Sequence, residues 1–455
     1  MRLSDGSLTH LAPDVIRPSY DFRAQEVGLV HIGIGAFHRA HQAWYTHLAM
    51  EAGDRNWAIT GVSMRSPSVA LQMNPQNGLY TVTERSDAGA MTRLIGAVRD
   101  VIVARQSTEM LIESVAAPTT HIVSFTITEK GYCRASDGRL DFDLAAQSGL
   151  FDSLAKALRR RHDAGRSGLT LLSCDNLTEN GQLLAGLMRD YLDRYDPKLT
   201  RWFETECACP STMVDRIVPA TTEEDRTAVA ARIGMDDEAA VMTEPFSQWV
   251  IEDRFAGPRP RWEAVGVELV SDVRPYEMAK LRLLNAAHSA LAYIGLSQGY
   301  HFVHEAMADP VIRALIVQLM TQEAAPTIDT APGQDLDRYA GALIDRFDNP
   351  ALRHRLSQIA MDGSQKIPQR WLETLAANQS MGQACPAILR AIAAWMSHLR
   401  GANGPVDDPR AAELIAGASG PDPASALFGG HGLVRSRWLP QPIDHAIMTD
   451  HLSKA

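Results

Sequence analysis

The spacing of apolar positions changes character once along this chain. Through the first part, apolar runs of strand length alternate with stretches of helical period. Val27 to Ile32 is such a run; it ends at Gly33-Ile-Gly35 and leads into a helical stretch from Gln42 to Met50. Trp57 to Arg65 reads as a second strand, and Leu79 to Thr83 and the Leu94–Val103 region as further strands. Ile122-Val-Ser-Phe is a β-branched run that breaks into the polar turn Thr126 to Tyr132. The pattern predicts an amphipathic helix from Phe151 to Ala164, a strand from Gly168 to Cys174 and an acidic helix from Thr221 to Ile233. Strands alternating with helices predict a mostly parallel sheet. From Pro275 onward the strand pattern largely disappears. Ala- and Leu-rich helical stretches take over, broken near Ala325–Gln334 and Gly401–Asp408. The change sets a boundary near Asp272, with an α/β domain over residues 1–272 and a mainly α-helical domain over residues 273–455. No internal repeat or low-complexity tract is evident.

The first apolar run and its glycines look like the opening βα turn of a dinucleotide-binding, Rossmann-type domain. Gly33 permits the tight turn, and Gly35 lets the backbone approach a pyrophosphate at the start of the following helix. The third glycine of the full fingerprint is missing, since Arg39 and Ala40 occupy its region. Gly-x-Gly alone is a weak signal. The dense Phe37-His38-Arg39-x-His41 run behind it strengthens the reading and makes Phe37, His38 and Arg39 candidate cofactor contacts. The second strand ends in Ser63-Met64-Arg65-Ser66, without the acid that commonly holds the ribose hydroxyls of NAD. Arg65 either meets the 2′-phosphate of NADP or stacks on adenine or lies in solvent. Polar residues at the carboxyl ends of strands point into the ligand crevice of such a sheet, which adds Thr126, Thr128, Glu129 and Asn176.

The helical domain opens on Pro275-Tyr-Glu277-Met-Ala-Lys280, continues through Asn285 and His288, and reaches Gly295. The spacing predicts one helix: Pro275 suits its first turn, Gly295 supplies a stop, and Ala and Leu dominate between. On an α-helical wheel with Lys280 at the origin, Glu277 falls at about 60°, His288 at about 80° and Asn285 at about 140°. An ammonium, a carboxylate, an imidazole and an amide share one side of an otherwise apolar helix. They form either a solvated polar edge or a site, because burying them unpaired and unused is costly.

Composition narrows the functions open to the chain. At 455 residues, 45% hydrophobic and 22% charged, it fits a globular protein of two domains. A net charge of −10, with no Lys/Arg-rich run, argues against nucleic acid and anionic membranes as partners. No apolar run reaches the roughly 20 residues that span a bilayer. Met1 to Ser7 lacks the charged start and apolar core of an export signal. Five scattered cysteines (Cys133, Cys174, Cys207, Cys209, Cys385) fit reduced thiols in a cytoplasm. Cys207-Ala-Cys209 has the wrong spacing for zinc, and His288 has no ligand partner at metal spacing on its helix, so no metal is expected. The expected partner is a small molecule, bound by a monomer or small homo-oligomer.

A dinucleotide-type sheet followed by a lysine helix suggests hydride transfer. Oxidising a secondary alcohol needs a base for the hydroxyl proton and donors that stabilise the developing alkoxide. A desolvated lysine can be that base without a metal. Lys280 with Asn285, His288 and Asn176 supplies such a set, and Glu277 stands one turn earlier to stabilise charge or relay protons.

Several segments resemble one family. They are Gly33-x-Gly35-x-Phe37-His38-Arg39-x-His41, Thr126-x-Thr128-Glu129-Lys130-Gly131-Tyr132, Ser173-Cys174-Asp175-Asn176 and Met213-Val-Asp215-Arg216. Glu244-Pro-Phe-x-Gln-Trp-Val-Ile-Glu252-Asp253 and Lys280-x4-Asn285-x2-His288 complete the set. Together they resemble the polyol-specific long-chain, or mannitol, dehydrogenase family over nearly the whole chain. The resemblance implies a Rossmann-type N-terminal domain, a mainly α-helical C-terminal domain, metal-independent catalysis and NAD as cofactor, with NADP left open by the missing acid. It further implies Lys280 as the catalytic lysine, Asn176 and Asn285 as oxyanion donors, His288 as a substrate contact, Glu277 in proton exchange and Asp215 in orienting the site.

Within that family, Arg346-Phe-Asp-Asn-Pro350 and Asp362-Gly-Ser-Gln-Lys366-Ile-Pro-Gln-Arg370 resemble the mannonate-oxidising branch more than the mannitol branch. A hexonate carries a carboxylate that mannitol lacks. Lys366 with Arg370 could pair with it, or both could lie on a solvated helix start. The resemblance therefore implies NAD-dependent interconversion of D-mannonate and D-fructuronate. Oxidation of mannitol or another polyol is the alternative, and a non-catalytic NAD-binding sensor a remote one.

Overall fold

The computed structural model describes residues 1–452. The chain divides into two compact units, Met1–Val273 and Arg274–Ala455. The first contains the strands β1 (Val27–Ile32), β2 (Ala58–Ser63), β3 (Tyr80–Ser86), β4 (Gly89–Ile95), β5 (Val98–Val103), β6 (Ile122–Phe125), β7 (Thr170–Ser173), β8 (Thr212–Asp215), β9 (Val241–Thr243), β10 (Gln248–Glu252) and β11 (Glu268–Val270). Five of them form one sheet in the order β5-β2-β1-β6-β7, and every neighbouring pair is parallel.

The order runs outward from β1 in both directions, so the connections reverse between β1 and β6. In an open α/β sheet that reversal leaves a crevice beyond the carboxyl ends of the two strands, where ligands bind. Both faces of this sheet are covered. Val30, Ile32, Val123 and Phe125 enter one apolar core, while Leu29, Ile59, Ile122 and Leu172 enter another. Burial on both sides explains why these strands read as continuous apolar runs rather than alternating ones.

The Leu79–Thr83 and Leu94–Val103 patterns divide differently from the expectation of successive strands. Tyr80–Ser86 and Gly89–Ile95 close a hairpin at Ser86 and Gly89 and join β9 in a separate three-stranded sheet. Only Val98–Val103 joins the main sheet. The acidic helix begins at Glu223, where the Thr222 hydroxyl and the Asp225 carboxylate cap each other's backbone N–H.

The second unit is helical. Its opening helix is continuous from Arg274 to Ser297 but not uniform. Arg274–Ala279 is α-helical, Lys280–Asn285 is a π segment, and Ala286–Ser297 returns to α. Gly295 lies inside the helix rather than ending it. A Cβ at Gly295 would stand 2.6 Å from Leu356 Cδ1 and 3.0 Å from Ala306 Cβ, so close packing is the reason for glycine there. The helix packs against Pro386–Leu399. The N-terminus of that helix is held by buried Glu323, which accepts from Ala387 N at 2.7 Å and Ile388 N at 2.9 Å. No helix among the described residues is long and apolar enough to cross a membrane.

Candidate active site

In the first unit, the site candidates follow from what the chain does at the ends of β1 and β6. Gly33 adopts φ +101°, and a Cβ there would lie 2.0 Å from the Thr126 carbonyl oxygen. Only glycine fits between the two strand ends. Over Gly35 the space is open: the nearest atom to an added Cβ is 3.8 Å away. A tight first glycine and an open second one, at the point where strand order reverses, fit a dinucleotide's pyrophosphate.

The missing third glycine has a structural counterpart. That glycine normally lets the helix approach the strand. Here the helix carries His38, whose ring stacks on His31 of β1 at 3.3 Å and an 11° tilt. The first turn, Ala36–Ala40, then breaks at His41 before Gln42–Glu51 begins. Burial holds both rings neutral, pushing His31 down to about 3 and His38 well below the usual histidine range. His31 is hydrogen-bonded to Ser124 Oγ and Thr126 Oγ1, both at 2.8 Å, and the Thr126 hydroxyl donates to the Gly33 carbonyl at 2.7 Å. Thr126 thus supports the glycine turn from below.

The other cofactor candidates separate into two groups. Arg39 is buried, and its guanidinium donates to the carbonyls of Gly35 and Ala239, which makes it a brace for the turn. His38 is likewise turned into the core. Arg65, Thr128 and Glu129 are exposed at the carboxyl ends of β2 and β6, and Phe37 is half-buried, stacked on His41 at 5.1 Å. Glu129 pairs with Arg134 at 2.9 Å.

Sequence reasoning did not assign a role to Asp175. Its carboxylate accepts from Ile127 N and Thr128 N, each at 2.9 Å, and from the Tyr132 hydroxyl at 2.8 Å. These bonds hold Thr128 at φ +63°, an unfavourable conformation for a β-branched residue. Its position beside Asn176 in the same strand-end motif was the available clue. Asn176 itself is exposed at the end of β7. Asp215 is buried at the end of β8, opposite Gln248 of β10. Its neighbour Arg216 fixes that end, donating to the carbonyls of Ala40 at 2.6 Å and Glu244 at 2.9 Å and pairing with Glu84.

In the second unit, the π segment reorganises the helix face. The Ala286 N–H reaches the Leu281 carbonyl five residues back. The wider π turn brings Asn285 closer to the line of Lys280 than the about 140° by which the α wheel separates them. Glu277 precedes Lys280 by three residues and His288 follows Asn285 by three, the spacing of neighbours on an α-helix. The π turn narrows the 3-5-3 spacing into a tighter stripe than the α wheel gives. Glu277, Lys280 and Asn285 are half-buried along it.

His288 is 8% exposed, and its Nε2 has no hydrogen-bond partner among the described residues. Burial, then His354, Arg346 and Arg370, depress its pKa well below the usual range, so it is neutral and offers an open ring nitrogen. Its ring meets Phe347 at 4.8 Å and His354 at 5.2 Å. Arg370 donates from Nη1 to the Asn285 carbonyl at 3.1 Å and to Ser289 Oγ at 2.7 Å, leaving Nε and Nη2 for another partner. Lys366 donates to the carbonyls of Met361 at 2.6 Å and Ile359 at 3.3 Å, and burial and Arg370 lower its pKa. The structure therefore gathers the cationic side chains of Lys366, Arg370 and Arg346 with the neutral imidazoles of His288 and His354. Arg346 and His354 lie in segments that resemble the mannonate-oxidising branch, but the sequence reading gave neither a role in the site.

The family of mannitol dehydrogenase Rossmann domains matches residues 27–264, and that of mannitol dehydrogenase C-terminal domains matches residues 272–420. The chain belongs to the mannitol dehydrogenase family. This family member is similar to D-mannonate oxidoreductase of Escherichia coli (strain K12), at 40% identity over 94% of this chain and 93% of the relative. It is also similar to mannitol 2-dehydrogenase of Phaeosphaeria nodorum, at 37% identity over 92% of this chain and 77% of the relative. Among solved structures, the Pseudomonas fluorescens mannitol 2-dehydrogenase in ternary complex with NAD and D-mannitol superposes with a TM-score of 0.84 at 36% identity, covering 100% of this chain and 96% of the other. A substrate-free D-sorbitol dehydrogenase reaches a TM-score of 0.92 at 31% identity, covering 100% of this chain and 98% of the other. The mannitol dehydrogenase homologues are oxidoreductases, and so is this chain.

Proposed function

We propose that this mannitol dehydrogenase family enzyme interconverts D-mannonate and D-fructuronate with NAD as its cofactor. The observation that carries the reading is the positive charge around His288, where the Arg346 and Arg370 guanidiniums both act on one buried imidazole. A hexonate brings a carboxylate to such a neighbourhood and a neutral polyol does not. The 40% identity to D-mannonate oxidoreductase supports the same reading.

In the oxidative direction the C5 hydroxyl gives its proton to the Lys280 amine and C5 becomes a carbonyl. Bound NAD supplies the acceptor for the hydride that leaves C5. Asn176 and Asn285 donate to the oxygen as its negative charge grows, and donors fixed in advance stabilise that charge most effectively. Neutral His288 holds a substrate hydroxyl, Glu277 passes the proton from Lys280 onward, and Asp215 orients the site. The open Nε and Nη2 of Arg370, with Lys366, take the substrate carboxylate. In the first unit the backbone at Gly33 and Gly35 and the residues Phe37, Arg65, Thr126, Thr128 and Glu129 line the cofactor, with His38 and Arg39 behind them.

The test is the rate of NADH oxidation with D-fructuronate against D-fructose. One paired carboxylate is worth about 2–3 kcal/mol, so kcat/KM with fructuronate should lead by roughly 100-fold. A second reading, oxidation of D-mannitol to D-fructose, is favoured by the likeness to the ternary complex with NAD and D-mannitol. It replaces the first if fructose is the faster substrate.

A further inference from the structure

Two residues beyond Lys280, the π segment carries Arg282, which faces a different part of the second unit. It lines a cavity of about 940 Å³ together with Glu373, Gln379, Arg435, Ser436 and Arg437. None of Glu277, Lys280, Asn285, His288, Lys366 or Arg370 lines it. In a chain of net charge −10, three guanidinium groups against one carboxylate is a local reversal of sign.

The cations are poorly satisfied. Arg435 and Arg437 are exposed and have no ion-pair partner among the described residues. Arg282 is 8% exposed; its Nη1 donates to Thr327 O at 2.6 Å and Thr327 Oγ1 at 2.7 Å. Its Nη2 stands 4.0 Å from Glu373, beyond hydrogen-bond reach, while its Nε, also without an acceptor, is sealed from solvent, so Nη2 is the donor open to a ligand. A buried guanidinium with donors left over is costly, and an arriving anion removes that cost. Arginine forks match phosphate oxygens in geometry as well as charge.

The volume sets the size of the ligand. Cavities of roughly 300–1,000 Å³ hold small organic molecules, which a lone inorganic phosphate would leave mostly empty. The rest of the polar wall is neutral or acidic: Gln379 is bonded at both ends to the Leu439 backbone and Ser436 donates to the Trp438 carbonyl, which leaves Ser436 Oγ and the Glu373 carboxylate to accept from hydroxyls. We propose that this cavity is a second ligand site that binds a phosphate monoester of a small sugar or polyol. Arg282, Arg435 and Arg437 take the phosphate, and Glu373 and Ser436 accept from the hydroxyls. The site is independent of which sugar the enzyme oxidises.

The experiment is calorimetric titration of glucose 6-phosphate, and separately of inorganic phosphate, into the full chain held with saturating NADH and D-mannonate. That unreactive pair keeps the titrants out of the proposed active site. Saturable one-to-one binding of glucose 6-phosphate is expected. It should weaken by about tenfold or more in an Arg435→Gln/Arg437→Gln double variant whose turnover and circular dichroism match the wild type. Inorganic phosphate should bind about tenfold more weakly than the ester. Absence of binding up to about 10 mM, equal affinity in the double variant, or phosphate binding as tightly as the ester would each overturn the assignment.

Discussion

Arg370 donates through Nη1 to the main-chain carbonyl of Asn285 at 3.1 Å. A cation that the sequence offers to a substrate is thus also fastened to the end of the π segment. Burial lowers its pKa to about 10, which leaves it charged at neutral pH. Arg370→Met should cost about 2 kcal/mol of stability, since it removes charge-assisted bonds to Asn285 and Ser289. It should also raise KM for a hexonate more than it lowers kcat. Urea unfolding and steady-state kinetics read the two effects separately; unchanged stability would mean that the bond to Asn285 carries no load.

Asp175 binds two backbone N–H groups and one hydroxyl with a single carboxylate. Asp175→Asn supplies one oxygen instead of two and turns an N–H₂ toward a donor. Leaving a buried donor unpaired costs about 1–3 kcal/mol. The β6 turn should loosen, and NADH should bind roughly tenfold more weakly by fluorescence titration. An unaltered NADH affinity would separate this turn from the cofactor.

Gly295→Ala sets two effects against each other. Alanine gains about 1 kcal/mol of helix propensity over glycine. The new methyl would meet Leu356 Cδ1 at 2.6 Å and Ala306 Cβ at 3.0 Å, and overpacking of that kind typically costs about 1–3 kcal/mol. The net expectation is destabilisation, visible as a lower Tm. A higher Tm would return Gly295 to the role of a helix stop.

The stacked pair His31 and His38 predicts the sign of a pH effect. Burial places the folded pKa of His31 at about 3, and that of His38 also falls well below the ordinary 6.5. Between pH 6.5 and about 3 the unfolded chain therefore binds protons that the folded chain refuses. Stability is complete above pH 6.5 and declines on acidification, by up to about 1.4 kcal/mol per pH unit for each proton. Urea midpoints at about pH 7.5 and 5.5 should differ less in a His31→Gln variant than in the wild type. Equal differences would contradict the buried, neutral state of His31.

The α/β pattern was legible because a doubly covered parallel sheet writes each strand as an apolar run, and Gly33 marks the turn that ends the first. The hairpin of Tyr80–Ser86 and Gly89–Ile95 was not separable from the main sheet, because pairing partners leave no trace in a strand's own pattern. On the lysine helix, residue types singled out Glu277, Lys280, Asn285 and His288 as candidates, but their closer alignment did not follow from a wheel of constant pitch. The π turn at Lys280–Asn285 is stabilised by tertiary contacts such as Arg370 on the Asn285 carbonyl, and nothing local announces it. His38 and Arg39 stood out in sequence for their density beside the glycines. Their burial reflects the stacking on His31 and the carbonyl of Ala239, both distant in the chain or on another element.

Lys280, on this π turn, is proposed to exchange the substrate's proton. The direct measurement is single-turnover oxidation of D-mannonate by the Lys280→Met variant, with NADH affinity determined in parallel. Loss of a positioned general base predicts a rate lower by about 10²–10⁴-fold, with NADH binding unchanged. A rate within a few-fold of the wild type would contradict the role given to Lys280.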